Sequence, residues 1–133
     1  MKLPRAGDVI HYRYLWRHEA NSKLEDGRKT RPCLVVAARE SEAGLLVYTV
    51  PISTKNHDPA HSRMVPADVC DLLKLSRDSR VVWNELNRFI WVGPDVEPLA
   101  SGTPYYGNVG FHFWDEMRRK VLGAAVRPIK RTE

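Results

Sequence analysis

From residue 8 to residue 16 the chain alternates: Ile10, Tyr12, Tyr14 and Trp16 fall on one face, His11 and Arg13 on the other. That period of two predicts a half-buried strand opened by the Gly7-Asp8 turn. Residues 17–30 abandon the pattern. Arg17, His18, Glu19, Lys23, Glu25, Asp26, Arg28 and Lys29 make the stretch almost wholly polar, which predicts a long loop. Apolar runs return at residues 32–38 and 45–52, separated by Ser41-Glu42-Ala43-Gly44, the composition of a hairpin with a buried centre.

The second half is more broken. A polar loop, Asn56-His57-Asp58-Pro59-Ala60-His61, leads to a short strand around Met64-Val65, and Pro66 opens a short helix over 67–74 because proline suits a first helical turn. Residues 79–92, rich in β-branched and aromatic side chains, read as one bent strand or two short ones. Gly93-Pro94-Asp95 and Ser101-Gly102-Thr103-Pro104 are turn chemistry. Over 111–124, Phe113, Trp114, Met117 and Val121 align at helical spacing, with Asp115 and Glu116 early and Arg118, Arg119 and Lys120 late, as an amphipathic helix requires. The pattern predicts a mainly β (α+β) fold: a small, strongly bent antiparallel sheet or barrel carrying a short helix and a C-terminal amphipathic helix.

Composition narrows this picture. The 133 residues suit one domain, 1–133, able to bury a core without disulfides. A net charge of +5 favours acidic partners. It is concentrated early, since residues 1–66 carry eleven Lys and Arg against seven Asp and Glu, and residues 67–133 ten against nine. Cys33 and Cys70 have no metal or redox spacing and read as small buried hydrophobes. The charged first twenty residues exclude a signal-peptide core, no run reaches membrane length, and the expected compartment is the cytoplasm. A Gly-rich phosphate loop, a His-Glu-x-x-His helix and a Cys-x-x-Cys pair are all missing, which argues against nucleotide hydrolases and zinc enzymes. No cofactor and no metal are expected.

The most telling segment is Gly27-Arg28-Lys29-Thr30-Arg31-Pro32-Cys33-Leu34-Val35-Val36, a glycine and three cations running into a strand. Together with Gly7-Asp8-Val9 and Val50-Pro51-Ile52-Ser53-Thr54 it resembles, in order as well as kind, the MazF and PemK toxins of bacterial toxin and antitoxin pairs, including Kid. The resemblance covers residues 7–55 well and 76–91 loosely. It implies an SH3-like barrel, a homodimer with single-stranded RNA along its groove, metal-independent RNA cleavage, and an acidic antitoxin occupying the same groove. The family's catalytic Arg falls on Arg31 and its hydroxyl residue on Ser53, with Thr54 beside it. Serine keeps the hydroxyl of the usual threonine and loses the methyl that restricts its rotamer. The family's later acidic position shifts to Glu85, in Trp83-Asn84-Glu85. A motive for the dimer is the crowding of Trp83, Phe89 and Trp91 into one strand region, more than one small barrel would bury.

Metal-free cleavage must deprotonate the 2′-hydroxyl, stabilise the phosphorane and protonate the leaving oxygen. Arg31 suits the second task through its five donors; as an ordinary surface residue it would pair with Glu25 or Asp26. Ser53 or Thr54 would orient a phosphate oxygen, or merely cap the turn after the strand. Of the five histidines, His18 is the expected acid or base because its loop precedes Arg31, while His11, His57, His61 and His112 read as solvated or structural. Arg28, Lys29 and Lys55 are expected to contact phosphates. Trp16 and Trp83 read as core, with base stacking the alternative. Two other functions fit: a noncatalytic toxin resembling CcdB, which binds DNA gyrase, using Trp114 and Met117, or a barrel that binds nucleic acid or protein without cutting.

Overall fold

The computed structural model describes residues 2–14, 30–93 and 95–131. Its backbone is the β2 (Thr30–Ser41) and β3 (Gly44–Ser53) hairpin, paired from Ser41↔Gly44 to Cys33↔Pro51. β1 (Asp8–Arg13) lies antiparallel on the far side of β2, from Val9↔Leu34 to Arg13↔Thr30. β3 is the strand that shapes the sheet. Its first half, Leu45 to Thr49, pairs with β6 (Asn87–Trp91), and its end, Ile52 and Ser53, pairs with β5 (Arg80–Val82). β4 (Ser62–Met64) extends β5, β7 (Tyr105–Asn108) extends β1, and β8 (Ile129–Lys130) joins β6 as the parallel pair. Residues 79–92 are therefore two short strands, and the expected bend falls between them. No ladder among the described residues joins β4 to β7, so the antiparallel sheet is bent but not closed.

Alternation along the strands sorts the core onto two faces. Ile10, Tyr12, Tyr14, Cys33, Val35, Val47 and Phe89 form one cluster, in which Phe89 stacks on Tyr12 at 4.7 Å. Val9, Leu34, Val36, Val50 and Ile52 face the other way, beneath α1 (Ala67–Leu73) and α2 (Phe111–Gly123). The helical stripe packs as expected through Phe113, Met117 and Val121. Its docking is set by a bulge in β2: the register slips between Val35 and Ala37, and the Trp114 indole donates to the Val36 carbonyl at 2.7 Å. A bulge leaves a ladder carbonyl unpaired, and the helix satisfies it.

Glycine is required at the entry to β1. Gly7 has φ +90, and a Cβ there would stand 2.8 Å from Asn108 Oδ1. Both cysteines are buried and free. Phe89 is fully buried and Trp83 and Trp91 pack partly against the core, so the crowding of these aromatics does not by itself demand a second copy. No described helix is long and apolar enough to cross a membrane.

Across the open side of the sheet runs a buried ion pair. Arg131, just past β8, donates to Asp95 Oδ2 at 2.8 Å, with side-chain exposures of 1% and 8%. The same guanidinium reaches the Arg13 carbonyl at 2.9 Å and Asn87 Oδ1 at 3.3 Å, and lies over the Tyr12 ring. It thereby ties β6 and β8 to the end of β1. Removing one partner of such a pair leaves a buried charge uncompensated, so Arg131→Ala is expected to lower stability by roughly 3–5 kcal/mol. In urea melts, Arg77→Ala, which breaks the exposed Arg77 and Asp71 pair, should leave the midpoint nearly unchanged.

Candidate functional site

Arg31 sits on β2 opposite Tyr12 of β1. Two residues beyond the Cys33↔Pro51 pair, the antiparallel register brings Arg31 towards Ser53, and Ser53 is itself paired with Arg80 of β5. Pro32 between Arg31 and Cys33 fixes the local backbone. Behind it, burial pushes the Cys33 thiol far up, against the opposing pull of the Arg31 and Arg131 guanidiniums, leaving an inert thiol rather than a nucleophile.

The end of α1 and β7 complete a cleft of about 290 Å³, whose lining includes Arg31, Ser53, Thr54, Lys55, Lys74 and Tyr106. Lys74 ends α1 in the left-handed conformation, φ 58, which turns the chain inward. Tyr106 comes from β7, and burial pushes its phenol up, so it keeps its proton. No carboxylate is among the described residues lining the cleft.

The Ser53 hydroxyl holds two neighbours. It accepts the Lys55 backbone N–H at 3.1 Å, capping the turn after β3, and it meets His57 Nε2 at 3.1 Å. His57 stands four residues after Ser53 on a loop stitched at Asp58: the Ala60 N–H donates to Asp58 Oδ1, and the His61 N–H and the Ser62 hydroxyl both donate to the Asp58 carbonyl. Asx-type turns of this kind hold a loop in one shape. Burial, then the cations Arg31, Arg80 and Lys55, lower the His57 pKa below its ordinary 6.5. The imidazole is therefore neutral at pH 7 and can accept a proton. Arg80 is planted nearby, with Nε donating to Ser62 Oγ at 3.0 Å.

Of the residues singled out in the sequence, the structure brings Arg31, Ser53, Thr54 and Lys55 to one cleft. Glu85 lies outside that lining, in the turn between β5 and β6, where it accepts from Tyr14 Oη at a long 3.5 Å. His18, Arg28, Lys29 and Trp16 lie outside the described residues. His57, read from the sequence as solvated or structural, is the histidine bonded to Ser53, and Lys74, Arg80 and Tyr106 were not anticipated. The Ser53-x-x-x-His57 spacing was visible, but only the stitch at Asp58 folds the loop back. Among the described residues, no group of three or more His, Cys, Asp or Glu could hold a metal ion.

A neutral imidazole bonded to Ser53, beside a cation-lined cleft without a carboxylate, has the groups to bind a phosphate and to take a proton from a neighbouring hydroxyl. Compared with models of known protein families and with curated proteins, the chain matches none.

The depressed His57 pKa carries a sign. The unfolded chain binds this proton more tightly than the native state, so the stability linked to the group is complete above about pH 6.5 and is lost as pH falls through the folded value. In an NMR titration, His57 should titrate below 6.5, and Lys55→Gln, which removes one of the cations, should move its midpoint upward.

Proposed function

We propose that this protein is a metal-independent endoribonuclease acting on single-stranded RNA, the toxin of a toxin and antitoxin pair of the MazF and PemK type, with its bent sheet a variant of their SH3-like barrel. The observation that carries the reading is that Arg31 and Ser53 share the lining of a carboxylate-free cleft while His57, beside that lining, is bonded to Ser53 at 3.1 Å. In the reaction, His57 takes the proton of the 2′-hydroxyl, the freed oxygen attacks the adjacent phosphorus, and the 5′-oxygen leaves with a proton, giving a 2′,3′-cyclic phosphate. Arg31 stabilises the charge that builds on the nonbridging oxygens. Ser53, only 3% exposed and bonded to His57, is a positioning residue, and the exposed Thr54 offers its hydroxyl to the phosphate. Tyr106, protonated and in the same lining, is the donor for the leaving oxygen. Lys55 and Lys74 hold flanking phosphates.

This reading places the protein in the cytoplasm with its RNA substrate, opposed by an acidic antitoxin drawn to the same cations, and working as a homodimer. Exposed Phe111 and Leu122 on α2, at 66% and 65%, support an apolar contact between copies. A CcdB-like grip on a protein target through Trp114 and Met117 is less well supported, because Met117 is fully buried and the Trp114 indole is spent on Val36.

Cleavage should persist in excess EDTA and leave cyclic or 3′-phosphate ends. Arg31→Ala should lose roughly 10²–10³-fold in kcat, and His57→Ala roughly 10²–10⁴-fold. In the unmodified protein the acid limb of kcat/KM should fall below pH 6.5 and should vanish in His57→Ala. Cleavage that EDTA abolishes, or that survives in Arg31→Ala, would overturn the reading.

Lys74 allows binding to be separated from stability. Glycine adopts its left-handed conformation without strain, so Lys74→Gly should melt no lower than the unmodified protein. Its affinity for RNA should nevertheless fall, with the salt slope reduced by about 1.

A further inference from the structure

A second pocket, of about 490 Å³, lies at the opposite end of β5 from the cleft, lined by His61, Trp83, Asn84, Val126 and Arg127 among others. Ser79, just before β5, lines the cleft and Trp83 follows Val82, so the two sites stand about 13 Å apart along four residues of extended chain. Loop 55–61 joins them as well, carrying Lys55 and His57 at one end and His61 at the other.

The Trp83 ring is held in place before any ligand arrives. It packs partly against the helix-covered core, its backbone N–H donates to the His61 carbonyl at 3.1 Å, the His61 ring meets it edge-on at 5.7 Å, and Lys120 Nζ lies 5.8 Å from its centroid. Beside it the Asn84 side-chain oxygen is buried and meets no hydrogen-bond donor among the described residues. Buried acceptors are seldom left unpaired, and because Asn84 itself lines the pocket, a turn of its amide presents that oxygen to a ligand's donor. No carboxylate is among the described residues lining the pocket.

We propose that this pocket is a subsite for one unpaired base of the RNA strand whose phosphate lies in the Arg31 cleft. The proposal rests on the reading of that cleft as a site for single-stranded RNA. The base stacks on Trp83, as bases do on aromatic platforms, and its exocyclic amine donates to Asn84 Oδ1. Lys120 serves the adjoining phosphate. Adenine, cytosine and guanine carry such an amine and uracil does not, so the subsite discriminates against uracil.

The test uses short 2′-O-methyl oligoribonucleotides of A, C or U, which resist cleavage, with binding followed by anisotropy, and natural RNA cleaved in parallel. A and C should bind tighter than U. Trp83→Ala should raise Kd by about tenfold, Trp83→Phe should restore much of the loss, and Asn84→Leu should erase the preference over U while leaving U affinity intact. The Phe and Leu variants keep the test valid if Trp83→Ala fails to fold. Binding that depends on Trp83 without cleavage of natural RNA keeps the subsite and removes the nuclease reading. Cleavage with binding indifferent to Trp83 and Asn84 removes the subsite alone, and no binding at all removes both.

Discussion

A strand that must satisfy two neighbours along one edge cannot stay flat. β3 gives its first half to β6 and its last two residues to β5, and the turn between those partners forces the sheet to bend where β2, β3 and β5 converge. Arg31, Ser53 and Arg80 meet because of that bend. The buried Arg131 and Asp95 pair holds the opposite side, tying β6 and β8 to β1 through the Arg13 carbonyl. The curvature is thus anchored at both ends, and Arg31 and Ser53 both sit on paired strands.

The chemistry of the cleft follows from which charges were left out. Burial first, and then Arg31, Arg80 and Lys55 around it, drive His57 towards its neutral form, so cations that would bind a phosphate add to what burial does to the imidazole. A carboxylate in the wall would have weakened both effects at once, by pairing with the cations and by favouring the imidazolium. In the proposed reaction a phosphate entering the cleft offsets those cations, so the imidazole gains basicity as it faces the 2′-hydroxyl.

Long, regular elements were legible in the sequence for simple reasons. The 32–52 hairpin and the terminal helix announce themselves through period and turn chemistry, and both lie close to the expected bounds. β7 and β8 were not, since four residues with a glycine and two residues alone have no period; they exist only because β1 and β6 offer them edges. At the site, Arg31, Ser53, Thr54 and Lys55 sit on or beside the hairpin and were accessible to reading by order along the chain. Lys74 and Tyr106 reach the cleft by tertiary routes, a left-handed helix end and an edge strand, and His57 and Arg80 reach Ser53 beside it from a loop folded back at Asp58 and a short strand.

The Asp58 stitch has a consequence for how such an enzyme would choose its cut. His57 precedes the stitched residue and His61 follows it, and backbone bonds to Asp58 make the segment between them one stiff piece. In the proposed enzyme that piece acts as a ruler: the spacing between the base that is read and the bond that is broken is written into the protein's backbone, not into the RNA. Changing the length of this loop would then shift the cut by whole nucleotides while leaving the preferred base the same.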